Sequence, residues 1–223
     1  VSFFFFFSRA SQLDAGVPLF DKYGAKVTFY VNPRNMEKRL GDWKSAAKKG
    51  YEIGNHSDQH PCTGNFPWSR QRSLEEYTLA KMRTELIAAS TDIERMVGVK
   101  PTTFAYPCGQ KYVGRGVDTK SYIPVIAELF IAGRGFRDEV ANDPAYCDLA
   151  QTMGIDSDGL SFEQIKSIVE DAAKRGAWVV FAGHDIGTKA RQVTESAALE
   201  QFLKYAQDPA NGVWLDTIEK VAK

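Results

Sequence analysis

The 223-residue chain carries no excess charge of either sign, since 28 Lys and Arg balance 28 Asp and Glu. No basic run interleaves with aromatics, so the footprint of a phosphate-tracking surface is missing and nucleic acid is not an expected partner. Cysteine is scarce: Cys62, Cys108 and Cys147 are too few for a disulfide framework, and the odd count leaves at least one thiol unpaired in a monomer. Long apolar runs are missing too. The one strongly apolar stretch, residues 1–7, falls far short of the ~20 residues that cross a bilayer, and it lacks the basic flank and cleavage site of a signal peptide. Because the chain begins at Val1, the missing export signal says nothing about compartment. There is no internal repeat and no linker. Only three histidines occur, His56, His60 and His184.

What is present is ordinary globular material, 43% hydrophobic and 25% charged. A chain of this length buries roughly 70% of its unfolded surface, so one domain spanning residues 1–223 needs no covalent staple. Short apolar segments rich in aromatic and β-branched residues predict strands at 1–7, 27–31, 51–53, 102–106, 129–132, 178–182 and 213–215. Helical spacing links Leu13, Val17, Phe20 and Tyr23, then Leu79, Met82, Leu86, Ile93 and Met96, then Phe162, Ile165, Ile168 and Val169. Ser73 with Glu76, Ser161 with Gln164 and Asp216 with Glu219 read as N-terminal caps; Gly24, Gly50, Gly98 and Gly176 read as left-handed helix ends. Alternating strands and helices require parallel pairing, and about seven such units predict an α/β fold, a distorted (β/α) barrel with outer helices. A doubly wound sheet is the alternative. Segments 54–72 and 134–159 break the rhythm and are expected to be functional loops.

All three histidines follow predicted strand ends, the end of a β/α barrel where loops gather into a site. Two imidazoles four residues apart, at His56 and His60, can chelate a cation from one helical turn that Pro61 terminates; two surface histidines are the bland alternative. His184 is placed to act as general acid or base, or simply to cap its strand. The turn Phe104-Ala105-Tyr106-Pro107-Cys108-Gly109 can leave a backbone N–H aimed into a pocket as an oxyanion donor. Cys62 and Cys108 read as free thiols, with metal ligation or a disulfide between them conceivable. Asp156 and Asp158 read as helix-approach aspartates; a carboxylate partner for His184 is the alternative.

These motifs resemble the polysaccharide deacetylase family, carbohydrate esterases that remove acetyl groups from chitin-like, peptidoglycan or xylan substrates. His56, Ser57 and His60 match its His-Ser/Thr-x-x-His, Pro107, Cys108 and Gly109 its Pro-x-Gly turn, and His184 its strand-end histidine. The resemblance implies a metal-dependent hydrolase with a divalent metal, most plausibly zinc, on His56 and His60. It implies His184 as the acid that protonates the leaving group and the Cys108 N–H as oxyanion donor. Tyr106, Pro107 and Gly109 then border an open groove for an acetylated oligo- or polysaccharide, in a secreted, periplasmic or cell-envelope protein, with a cytoplasmic one not excluded. Two departures matter. The family carries Thr-Phe-Asp-Asp-Gly at the end of its first strand, its first aspartate the base and its second a metal ligand, where this chain has Phe4, Phe5, Phe6, Phe7 and Ser8. Ala105 replaces an arginine that steadies the catalytic aspartate. A phenyl ring neither accepts a proton nor binds zinc, and two extra rings in a barrel interior are expected to cost about 1–3 kcal/mol or more. A pseudoenzyme, an engineered loss of function or a substitution of residues 4–8 relative to the natural protein would each account for this strand. Besides the deacetylase, the sequence admits an amidase acting on a small non-sugar amide, and a carbohydrate-binding pseudoenzyme with Trp43 and Trp68 as stacking platforms.

Overall fold

The computed structural model describes residues 1–188 and 190–223. The elements run β1 (Ser2–Phe6), α1 (Val17–Lys22), β2 (Thr28–Val31), α2 (Pro33–Met36), α3 (Leu40–Lys48), β3 (Glu52–Asn55), α4 (Leu79–Val97), β4 (Thr103–Ala105), β5 (Tyr112–Val113), β6 (Lys120–Ser121) and α5 (Ile123–Leu129). They continue with β7 (Ala132–Arg134), β8 (Ile155–Asp156), α6 (Phe162–Lys174), β9 (Val180–Gly183), β10 (Asp185–Gly187), β11 (Val193–Glu195), α7 (Ser196–Gln207) and α8 (Ile218–Ala222). Seven parallel strands form one sheet in the order β7-β4-β3-β2-β1-β9-β8. The sheet curls into the expected distorted barrel. Residues 152–156 draw its edges together: Thr152 exchanges backbone bonds of 2.7 Å with Gly133 and Gly135 beside β7, while Ile155 and Asp156 pair with β9.

Side chains alternate across β1, as a pleated strand demands. Phe3 and Phe5 face the helices, in a cluster with Phe20, Phe29, Leu199 and Phe202. Phe4 and Phe6 face the barrel interior with Tyr30, Trp178, Val180 and Ile218. The five-phenylalanine run therefore serves two cores at once, and Phe3, Phe4 and Phe5 are all 0% exposed.

The predicted strand at 213–215 does not form. That segment is held to the start of β1 instead, where the Val1 ammonium donates to the Trp214 carbonyl at 2.7 Å and the Asp216 N–H donates to the Val1 carbonyl at 3.1 Å. The seventh strand is β8, inside a stretch expected to be irregular; its two residues are too few to show periodicity. Ser73 precedes a short 3₁₀ turn with no side-chain cap, and α4 is capped by Thr78, whose hydroxyl accepts from the Lys81 N–H. Likewise Thr217, one residue after Asp216, caps α8. Ser161 and Gln164 do form a reciprocal capping box, and Gly24, Gly50, Gly98 and Gly176 all have positive φ. Trp43 is 0% exposed against Phe29, which removes it as a sugar platform.

The free-thiol reading of Cys62 and Cys108 is also overturned: they form a disulfide that ties the loop after β3 to the turn after β4, leaving Cys147 free. With 46 residues between the two cysteines, Cys108→Ser is expected to lower stability by about 2–4 kcal/mol, measured by denaturant titration. Unfolded under non-reducing conditions, the parent should titrate as a single thiol.

Candidate active site

Parallel strands deliver their C-terminal ends to one rim, and there the three histidines meet. His56 follows β3, His60 lies four residues further on, and His184 follows β9. His56 and His60 do not share a helical turn. Ser57 and His60 adopt positive φ (57° and 50°), and this tight turn brings the two ring centroids to 4.7 Å. The His56 Nδ1–H donates to the Ala105 carbonyl at 2.9 Å, which turns the Nε2 lone pair toward the cavity. His56 Nε2 and His60 Nε2 are buried and find no hydrogen-bond partner among the described residues. Burial holds both rings neutral at pH 7, His60 down to about 4 and His56 well below its ordinary 6.5.

His184 is held differently. Its Nδ1–H donates to Asp158 Oδ2 at 2.5 Å, while Asp158 Oδ1 accepts from the His184 N–H and the Thr194 hydroxyl, each at 3.1 Å. The two side chains are 4% and 8% exposed. Asp158 thus orients the imidazole, in the role the sequence reading gave second place. The Gln192 amide stands 3.4 Å from His184 Nε2, the ring atom left to face the cavity.

Between the histidines lie two phenyl rings. Phe7 stands 4.6, 5.2 and 5.7 Å from the rings of His60, His56 and His184, and Phe6 lies 4.0 Å from His184 and 5.5 Å from His56. Phe7 adopts φ 79°, a conformation uncommon for bulky residues and several-fold enriched in Asp and Asn. Two buried, unpaired imidazole nitrogens are donors that a divalent cation accepts. A hydrolytic metal centre needs three protein ligands, and an aromatic ring fills the space beside these two. The residues present do not fit a complete centre. The other grouping of ligand atoms, His60 with Cys62 and Cys108, is closed by the disulfide.

The sequence reading missed Arg134, the last residue of β7. It is 1% exposed, with its guanidinium carbon 3.7 Å from the Phe4 ring centroid and 4.8 Å from those of Phe6 and Tyr30. Nη1 donates to the Gly135 carbonyl, yet Nε and Nη2 find no partner among the described residues. Burial lowers its pKa to about 9, which still leaves it charged at neutral pH. It stands beside Phe6, the position of the family's base, and supplies from β7 the cation that Ala105 cannot. The predicted strand at 129–132 ended two residues short of Arg134, so periodicity gave no sign that its side chain pointed inward.

These groups line a cavity of about 730 Å³ that also takes in Tyr106, Cys108, Phe136 and Gln192. Tyr106 offers its ring, since its hydroxyl donates to the Ala150 carbonyl. Gly109 borders a second, smaller cavity, and Pro107 is buried behind the turn. At the rim Phe66 and Trp68 stack at 5.4 Å and remain 42% and 53% exposed.

Two outcomes follow. In metal-free protein the unfolded chain takes up protons near pH 6.5 that folded His60 refuses until about 4, so stability is expected to fall as pH drops through that window, by on the order of 3 kcal/mol from His60. His60→Gln should flatten the slope of melting temperature against pH. Arg134→Met removes an uncompensated buried charge while keeping its bulk, and is expected to stabilise the chain by about 1–4 kcal/mol in denaturant titration.

The comparisons agree with this geometry. Residues 10–118 match the family model described as polysaccharide deacetylase. An uncharacterized protein, YlxY, of Bacillus subtilis is 31% identical over 97 residues, 44% of this chain and 27% of its own length; the chain thus spans about a quarter of that relative. Among solved structures, a family 4 acetyl xylan esterase from Clostridium thermocellum, in complex with a cobalt ion, superposes with TM-score 0.65 at 16% identity, covering 99% of this chain and 87% or more of neither less than its own 88%. A CE4 family pseudoenzyme from Bacillus anthracis superposes with TM-score 0.65 at 14% identity, covering 100% of this chain and 64% of its own. The resemblance to the polysaccharide deacetylase family is borne out, by sequence over residues 10–118 and by fold over the whole described chain.

Proposed function

We propose that this site derives from a hydrolase that removes acetyl groups from an acetylated carbohydrate, by N- or O-deacetylation, and that with Phe6 and Phe7 in place it binds such a ligand without turning it over. The observation that carries the reading is the pair of phenyl rings seated among three imidazoles, 4.0 to 5.7 Å from them, in a site otherwise intact.

In the hydrolytic form, Asp158 holds His184 with Nε2 toward the cavity, placed to pass a proton to a departing amine or alkoxide. The left-handed turn at Cys108, φ 55°, carries the backbone amide assigned to the oxyanion. His56 and His60 supply two donors to a divalent metal, zinc by the family's habit, and a bound metal would polarise the acetyl carbonyl and the attacking water. At positions 6 and 7 no group takes the water's proton or completes the ligand set. The exposed Phe66 and Trp68 support a groove for a saccharide chain over an enclosed pocket for a small amide, and the Cys62–Cys108 disulfide supports an oxidising compartment, secreted, periplasmic or of the cell envelope.

The test is turnover of an acetylated chromogenic ester with and without chelator. The parent is expected at background, and Phe6→Asp with Phe7→Asp is expected to raise turnover about 10²–10⁴-fold in a chelator-sensitive manner. Adding His184→Gln should remove most of the gain. Chelator-sensitive turnover by the parent would overturn the non-hydrolytic reading.

A further inference from the structure

The chain as a whole is neutral, yet its cavity is not. Among the described residues that line it stand five arginines, at 34, 72, 134, 137 and 191, against one carboxylate, Asp58. Asp58 is already taken by Arg34 at 2.9 Å, and Arg137 pairs with Asp156 at 3.3 Å. No ion pair among the described residues engages Arg72, Arg134 or Arg191. Arg134 is nine-tenths buried and more, with Nε and Nη2 unanswered, and the buried Nε of Arg72 is unanswered too. Buried polar groups are nearly always satisfied, so N–H donors left open around one cavity point to an acceptor the chain does not supply. A concave, partly apolar wall also focuses the field of its charges onto whatever enters.

We infer that this groove recognises a carboxylate-bearing saccharide, its acid groups met by Arg72, Arg134 and Arg191 and its sugar rings lying against the exposed Phe66–Trp68 pair. The inference rests on the reading that the groove takes a carbohydrate, and names the class of carbohydrate. A guanidinium fork matches a carboxylate through two parallel N–H donors, and the three unpaired arginines are the donors on offer. Phe66 and Trp68, stacked within 12° of parallel, present one flat apolar surface of the kind sugar faces cover. Phe6, Phe7 and Phe136 make the floor apolar, which suits an acyl methyl group better than a chain of phosphates.

The experiment is calorimetric titration of the parent chain with trigalacturonate, with the neutral sugars xylotriose and chitotriose, and with single-stranded DNA, each at low and high salt. Trigalacturonate is expected to bind at least about tenfold more tightly than either neutral trisaccharide at low salt, and to lose that advantage as salt rises. Arg72→Gln and Arg191→Gln are each expected to weaken the acidic ligand roughly 5- to 20-fold and to leave neutral sugars unchanged. Arg134→Met should do the same, provided its melting transition stays cooperative; the two rim variants carry the test if it does not. Equal affinity for acidic and neutral sugars, or arginine variants without effect, would overturn the inference while leaving the carbohydrate groove standing. Tighter binding of DNA would overturn it in favour of an unspecific polyanion site. Failure of every saccharide to bind would overturn both the inference and the groove, whereas the hydrolytic ancestry is read separately, from turnover by the double aspartate variant.

Discussion

Parallel pairing of β1 with β2 on one side and β9 on the other is the constraint from which the site follows. The register sets Phe5 opposite both Phe29 and Gly183, so the next residue, Phe6, emerges between the ends of the neighbouring strands and beside His184. Alternation then leaves no freedom: if Phe3 and Phe5 pack against the helices, Phe4 and Phe6 must enter the barrel. The close approach of phenyl and imidazole rings is therefore a consequence of register, and a one-residue slip would exchange the two cores.

The interior that results is electrostatically lopsided. Glu52, raised by burial, has its own hydroxyl and backbone partners: it accepts from Thr28 and Thr103 and from the Glu219 N–H at the start of α8. Arg134 has no such shell. The two buried charged groups stand on the same sheet, one inside a finished hydrogen-bond network and one lying on aromatic faces with donors to spare. Stacking on Phe4, Phe6 and Tyr30 offsets part of the desolvation, since cation–π attraction strengthens where water is excluded, but a ring face cannot answer an N–H as a carboxylate does. The shortfall is concentrated at the position where the family places its base.

Much of this was legible from residue order. The repeated strand and helix pattern indicated parallel pairing, and strand-end placement alone brought His56, His60 and His184 to one rim. The chemistry of position 6 and position 7 could be read from their alignment with the family motif. What escaped lay in contacts remote in sequence or too short to be periodic. The two-residue β8 gave no alternation to detect, and its loss led the count to seven by way of 213–215, whose apolar residues pack without joining the sheet. Asp158 looked like any acid before a helix, because its partner His184 is 26 residues away. The Cys62–Cys108 link spans 46 residues and depends on two loops meeting above the rim, which no local pattern reports.

Phe7 explains how such a site can keep its shape with an incomplete ligand set. A bound cation would cross-link loops through coordination; here one ring touches all three imidazoles and does so by packing. The disulfide fixes the His60 loop to the Cys108 turn, and Asp158 fixes His184, so each wall is anchored without metal. The two phenylalanines are coupled in consequence. A carboxylate at position 6 alone would meet Arg134 but still face the ring of Phe7 in place of a third ligand, and one at position 7 alone would complete the donors without a base. Neither change supplies half of the chemistry, because base and ligand set act on the same water, and their effects on turnover must combine far from additively.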